Sequence, residues 1–323
     1  MDKQVAVKWG QPLLSVLIIA GLVAYLWKHK EAFTDTLSLP YDQLAAMACL
    51  VVLNWAANSL PMLIFTRLAG KRIGFWANFF VMAAAMLGNY LPMRLGTIVR
   101  MRFFKKSIGM DYSSFVGIMM VRTLLLAITS SLFCGLGFIG LRLQGYTLPL
   151  AVYGLFGALF VGALAALFLP VSRISIPNRF IQGRLEKLTE AHRTMRKQPK
   201  AMLAVMCCIL FQQLCFSLRL YISFAAFGVI APLWLYIIVG PASSLLTFVT
   251  VTPGNLGLRE WVIGALTSAT GFDFQAGFFA STLDRGVMLA LTFILGGIGI
   301  IYTIRKSSAA YGSSQNDENF VDK

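Results

Sequence analysis

The chain is short of charge, and shortest of acid. Only 13% of its 323 residues are Asp, Glu, Lys or Arg, and Asp and Glu together number 13 against 28 Lys and Arg. Soluble domains carry about a quarter charged residues, so a soluble globule is excluded. Histidine occurs twice, as His29 and His192, both between apolar stretches. There is no H-E-x-x-H, P-loop or G-x-S-x-G motif and no acidic metal cluster, which leaves no metal, nucleotide or acyl-transfer signature and no cofactor to expect. The five cysteines, Cys49, Cys134, Cys207, Cys208 and Cys215, all lie in apolar runs without metal-site spacing. They read as small hydrophobes.

What the chain has is long apolar runs: 58% of it is hydrophobic and its mean hydropathy is +0.73. Runs of roughly 18 or more apolar residues mark transmembrane helices. The sequence predicts an all-α integral membrane protein with about six full spans, at 11–27, 41–66, 113–141, 148–169, 201–227 and 276–303. Two more apolar stretches, 73–91 and 232–250, each run into a Pro/Gly break. The first span follows Lys3 and Lys8 and is followed by Trp27, Lys28 and Lys30 rather than an A-x-A-like site, so it is expected to be a retained anchor. The net charge of +15 reflects the positive-inside bias of membrane proteins rather than nucleic-acid binding.

Charge parity sets the topology. The basic segment 171–200, with Glu186 and Glu190 among its Lys and Arg, is expected on the cytoplasmic side near anionic headgroups. Spans 148–169 and 113–141 then require the basic run that ends at Lys106 to be cytoplasmic. From the other direction, a cytoplasmic N-terminus and two spans place Arg67–Arg72 on the same side. Segment 73–107 therefore starts and ends inside, and must enter the membrane and return. The same reasoning, with Arg305 and Lys306 inside, makes segment 232–270 begin and end outside. Both termini are expected to be cytoplasmic. Each re-entrant hairpin bends at its break: Pro92 and Gly96 in the first, Pro253, Gly254 and Gly257 in the second. Non-helical backbone at membrane depth is tolerated only where protein or water satisfies it.

The two breaks match. One reads Pro92-Met-Arg-Leu-Gly96 and the other Pro253-Gly-Asn-Leu-Gly257, both P-x-x-L-G. A lone arginine follows each, Arg122 thirty residues after Pro92 and Arg285 thirty-two after Pro253, while Asn58 and Arg219 each precede their proline by thirty-four. Opposite parity plus matched spacing predicts an inverted repeat: 1–170 as the first half, 171–200 as a linker, 201–306 as the second half and 307–323 as a disordered polar tail. Transporters of this kind bind substrate near the midplane between broken helices, whose N-termini favour an anion.

The candidate binding residues are Arg94, Arg100, Arg122, Arg219, Arg259, Glu260, Asp284 and Arg285. An arginine at the centre of a membrane helix costs roughly 2.5–3.5 kcal/mol on insertion scales, so each needs a reason. Anion binding along a lipid path is one; structural pairing with Glu260 or Asp284 is the other. Arg94, Arg100, Arg122, Arg259 and Arg285 are expected to converge between the hairpins. Asp284 and Arg285 are neighbours and point differently on a helix. Glu260, in the first turn after the second break, is expected to hold a substrate-contacting arginine in the empty state, with Arg94 or Arg122 as the partner.

"LPMRLGTIVR" and "TPGNLGLRE", with lone Arg122 and Arg285, resemble the lysylphosphatidylglycerol synthase transmembrane-region family. This is the flippase-like domain of bifunctional aminoacyl-phospholipid synthase/flippases. The resemblance runs over roughly 10–305 and implies a stand-alone member in a bacterial or archaeal cell membrane. It implies translocation of an anionic lipid or lipid-linked glycan, with membrane lipids, and as an alternative a lipid or glycan synthase, as partners. One departure stands out: the family carries an acid just after the first P-x-x-L-G, where this chain has Thr97, while the second motif keeps Glu260. Two rival functions remain open. One is a membrane transferase acting on polyprenyl phosphate or phospholipid headgroups, for which only Glu260 and Asp284 could act as general base. The other is a non-transporting accessory subunit.

Overall fold

The computed structural model describes residues 3–90, 95–146, 149–168, 193, 197–248 and 252–321. Pro92, Arg94 and nearly all of the basic segment 171–200 lie outside them. The described residues form α-helices and two short 3-10 turns, with no strand. In chain order the helices are α1 (Lys3–Lys28), α2 (Lys30–Thr36), α3 (Tyr41–Leu68), α4 (Phe75–Gly88), α5 (Leu95–Ile108), α6 (Tyr112–Leu143) and α7 (Leu150–Phe168). They continue with α8 (Pro199–Ala225), α9 (Leu233–Ser244), α10 (Leu258–Ala269) and α11 (Phe274–Val321).

Five of them are long and apolar enough to cross a membrane: Tyr41–Leu68, Tyr112–Leu143, Leu150–Phe168, Pro199–Ala225 and Phe274–Arg305. The predicted span 11–27 falls in α1, whose apolar part is described over the shorter Ser15–Lys28. Beyond Arg305, α11 is helical as far as Val321.

The two interrupted stretches fold as pairs of short helices, α4 with α5 and α9 with α10, and the members of each pair pack on one another. Gly96 has a different part from the one expected. It lies within the first turn of α5 rather than in the bend, and its role is close approach. A Cβ there would sit 1.9 Å from the Ala85 carbonyl oxygen of α4, so only glycine lets the two arms meet. The second break is the one whose backbone is irregular. Pro253–Asn255 form a 3-10 turn, and Gly254, Asn255 and Gly257 have φ of 60°, 55° and 80°. That left-handed region is cheap for glycine and is next best tolerated by asparagine. Gly257 is also pressed against α1, where a Cβ would meet Ile18 Cγ2 at 2.6 Å.

The chain divides into two compact units. The first comprises Met1–Asn54, Leu126–Ala166 and Ile209–Leu289; the second comprises Trp55–Leu125, Leu167–Cys208 and Ala290–Lys323. Helices α3, α6, α8 and α11 each begin in one unit and end in the other. The α4–α5 pair stays wholly in the second unit and the α9–α10 pair wholly in the first.

The first unit has an aromatic core. Phe224, Tyr236, Ile263 and Phe278 are buried in it, with Leu22, Tyr25 and Leu26 of α1 packed alongside. Here the distal half of α6 crosses α9 through glycines: a Cβ on Gly140 would lie 2.1 Å from the Trp234 ring, and one on Gly137 would lie 3.1 Å from the Trp234 carbonyl oxygen. In the second unit the distal half of α11 crosses α4 in the same manner. A Cβ on Gly299 would fall 2.3 Å from the Phe80 carbonyl oxygen, and one on Gly296 would fall 3.1 Å from that of Ala83. Lipid tails are as apolar as the helices, so helix association in a bilayer relies on such close contact between small residues. In both units the helix that follows one interrupted pair grips the first arm of the other pair.

Candidate functional site

The first unit gathers three arginines and two carboxylates from three helices. Arg219 of α8 donates from Nε to Asp284 Oδ1 at 2.7 Å and from Nη2 to Asp284 Oδ2 at 3.0 Å. Arg259 of α10 donates from Nη2 to the same Asp284 Oδ2. Arg285 donates from Nε to Glu260 Oε1 at 3.0 Å. All five side chains are buried, and Asp284 is 0% exposed. A fork of two parallel bonds to a carboxylate is the strong form of charge-assisted pairing, and burial demands it, because an unpaired charge in this medium is far costlier.

Local sequence explains the division of labour. Asp284 and Arg285 are adjacent on α11, so they face different neighbours, as expected. Asp284 meets α8 and the Arg259 side of α10, while Arg285 turns to Glu260 and to the break. There its Nη1 donates to the Gly254 carbonyl at 3.0 Å and its Nη2 to the Asn255 carbonyl at 3.3 Å. These are the carbonyls that the left-handed turn leaves without helical partners. Asn255 adds Nδ2 to the Leu246 carbonyl at 3.0 Å, so the turn is tied at both ends. Among the described residues the partner of Glu260 is therefore Arg285 of the same unit, not Arg122. The parity argument paired opposite hairpins and missed a helix that runs directly past the break.

One organising residue was not foreseen. The Arg259 guanidinium lies 4.3 Å from the centre of the Phe216 ring and that of Arg219 lies 5.2 Å from it. Phe216 precedes Arg219 by three residues and so shares its face of α8, the only sequence signal for this contact. The ring's negative face attracts both cations and helps hold two like charges against a single carboxylate.

The second unit is built differently. Arg100 of α5 and Arg122 of α6 are half-buried. Arg122 donates from Nη2 to Asn58 Oδ1. The Arg100 guanidinium lies 5.8 Å from the centre of the Phe115 ring, and its Nε is buried without a hydrogen-bond partner. Among the described residues no carboxylate pairs with either arginine. Arg102, one of the basic residues of α5, is exposed. Of the expected convergent set, then, Arg100 and Arg122 lie in one unit and Arg259 and Arg285 in the other. Arg94 lies outside the described residues.

Other polar side chains tie helices together. Asn54 Nδ2 donates to the Gln212 carbonyl at 2.7 Å, Asn78 Nδ2 to the Ser59 carbonyl at 2.7 Å, and Gln213 Nε2 to Ser130 Oγ at 2.6 Å. Asn54 and Asn58 are one turn apart on α3, yet one secures backbone and the other orients an arginine. The cysteines are free thiols, and among the described residues no group of His, Cys, Asp and Glu could hold a metal ion.

A family model described as the lysylphosphatidylglycerol synthase TM region matches residues 13–296. The chain is also similar to a UPF0104 membrane protein of Methanothermobacter thermautotrophicus strain Delta H, with 33% identity over 84 residues. That alignment covers 26% of this chain and 24% of the relative's length. No solved structure matches the chain.

Proposed function

The chain belongs to the lysylphosphatidylglycerol synthase transmembrane-region family, and from that premise we propose that it translocates an anionic lipid or lipid-linked glycan across a cell membrane. The observation that carries this reading is the second break. A left-handed turn follows an apolar helix, and its carbonyls are held by buried Arg285, which also pairs with Glu260. Irregular backbone at membrane depth, satisfied by a charged side chain, is what transporters use to build a polar path through an apolar bundle.

The chain trace supports two re-entrant hairpins in an inverted repeat. Each interrupted pair begins and ends in one unit, whereas α3, α6, α8 and α11 pass from one unit to the other. The glycine crossings repeat the same exchange in both halves. Arg67, Lys71, Arg72, Lys105, Lys106 and Arg305 all fall in the second unit, in keeping with a single cytoplasmic side for them. The transferase alternative would need Asp284 or Glu260 to release its arginine before either could serve as a base.

The test is reconstitution of the purified chain in liposomes carrying a fluorescent anionic phospholipid in the inner leaflet, followed by dithionite quenching. Faster exposure of the probe than in protein-free liposomes is expected; equal rates for anionic, zwitterionic and glycan-linked probes with and without protein would overturn the reading. Topology is checked with Leu185→Cys and Ala310→Cys in a cysteine-free background. Neither should react with an impermeant maleimide added to intact cells, and strong labelling at either site would refute cytoplasmic placement.

A further inference from the structure

Building on the lipid-handling reading above, we propose that Arg259 is the contact point for a phosphate-type oxyanion, held in place for it by Arg219, Asp284 and Phe216. Two guanidiniums share one carboxylate here. Arg219 takes both oxygens of Asp284, with bonds of 2.7 and 3.0 Å, and by itself completes a one-to-one pair. Arg259 adds a second cation to Oδ2 through Nη2. The trio therefore carries one positive charge more than its carboxylate offsets. Glu260 does not make up the difference, because it is engaged with Arg285, a cation of its own. Taken together, three guanidiniums stand on two carboxylates, and all five residues are buried.

An unfilled donor accompanies the extra charge. Arg259 Nε is buried without a hydrogen-bond partner, whereas Nε of Arg219 and Nε of Arg285 each donate to a carboxylate. A buried donor without an acceptor is an uncompensated cost, and an unbalanced buried charge adds to it. An oxygen of a phosphate-type anion at Arg259 Nε removes both costs, since guanidinium N–H groups match phosphate geometry. Two observations single out Arg259 rather than Arg219. Its guanidinium lies 4.3 Å from the centre of the Phe216 ring, against 5.2 Å for Arg219, so the ring fixes its face and leaves its edge to hydrogen-bond. It also keeps 8% of its side-chain surface accessible, where Arg219 keeps 3% and Asp284 none. The approachable side of the trio is the one with the unfilled donor.

A lipid phosphodiester and free phosphate share this chemistry, and the experiment separates them. The full chain is purified in dodecyl maltoside. Binding of fluorescent phosphatidylglycerol is titrated, and thermal melting is followed with and without inorganic phosphate. Wild type is expected to bind the labelled lipid and to melt higher with phosphate. Arg259→Lys keeps a cation for Asp284 but lacks the Nε donor, and it should lose roughly tenfold in affinity, the worth of one charged hydrogen bond. Arg259→Gln should lose more, since the extra charge goes as well. Arg142→Gln removes an exposed cation of the same unit and should bind as wild type does.

The phosphate-dependent rise in midpoint, compared within each variant, is the readout that a merely structural role would not move. It should shrink in Arg259→Lys and stay at the wild-type size in Arg142→Gln, whatever the midpoint without phosphate. Should Arg259→Gln fail to fold, Arg259→Lys and the wild-type titration still decide. Neither a phosphate effect nor lipid binding in wild type overturns the site. A phosphate effect that Arg259→Lys keeps in full marks an adventitious ion only and overturns it too, as does an equal loss of affinity in Arg142→Gln. If phosphate raises the midpoint through Arg259 and the labelled lipid does not bind, the oxyanion site stands and the lipid assignment falls. If wild type binds phosphatidylglycerol through Arg259 but moves none in liposomes, the site stands and translocation falls. If Arg259→Lys binds and moves the lipid as wild type does, translocation stands and the site falls.

Discussion

The two units treat the arginines of their apolar helices in opposite ways. In the first, Arg219, Arg259 and Arg285 are matched by Asp284 and Glu260, stacked on Phe216 and hydrogen-bonded to the turn carbonyls. In the second, Arg100 and Arg122 have an asparagine and a phenylalanine ring, and no carboxylate among the described residues. The difference is visible in the halves of the repeat. Counting from Pro92 and Pro253, Val99 stands where the second motif has Glu260, and Ile98 stands where it has Arg259. The lesson is that lone arginines in a membrane segment are not one class. One set is paired with carboxylates, and the other is held, among the described residues, by neutral side chains.

The comparison breaks most sharply at Asp284. Asp284→Asn leaves Arg219 and Arg259 buried against a neutral amide, and severing a buried ion pair of this kind costs roughly 3–5 kcal/mol. We expect little folded protein, with the remainder melting well below wild type by intrinsic fluorescence. A normal melt would mean that the network is dispensable for folding.

A smaller loss is expected from Glu260→Gln. Arg285 keeps its bonds to the carbonyls of Gly254 and Asn255, so the damage is one charged hydrogen bond, about 1.5–3 kcal/mol. The variant should insert, melt lower, and change lipid turnover more than abundance. Wild-type turnover across pH 5 to 8 would exclude any role for this carboxylate in transport.

Phe216→Leu keeps an apolar filler but removes the ring face shared by two guanidiniums, a loss of about 0.5–2 kcal/mol in melting measurements. The smallest effect comes from supplying the acid that the first motif lacks. Thr97→Glu puts a carboxylate one turn before Arg100 on α5, a spacing that pairs charges for about 0.2–0.5 kcal/mol. The melting midpoint should rise slightly, as the new acid pairs with Arg100. A lower midpoint would contradict the contrast drawn between the units.

The sequence by itself determined the helical membrane architecture, because apolar run length is a one-dimensional property and the bilayer fixes what it means. It also located both interruptions, since proline and glycine announce where a helix cannot continue, and it singled out the arginines, because a cation in an apolar run is costly. It did not determine partners. Glu260 faces Arg285, Asp284 joins α8 to α10, and Phe216 lies against two guanidiniums only because three separate helices pack together. The role of Gly96 was likewise hidden: proximity to Pro92 suggested a bend, while the fold uses the missing Cβ to let α5 touch the Ala85 carbonyl. Pairing and close approach depend on which surfaces meet, and the spacing of residues along one chain carries no record of the second surface.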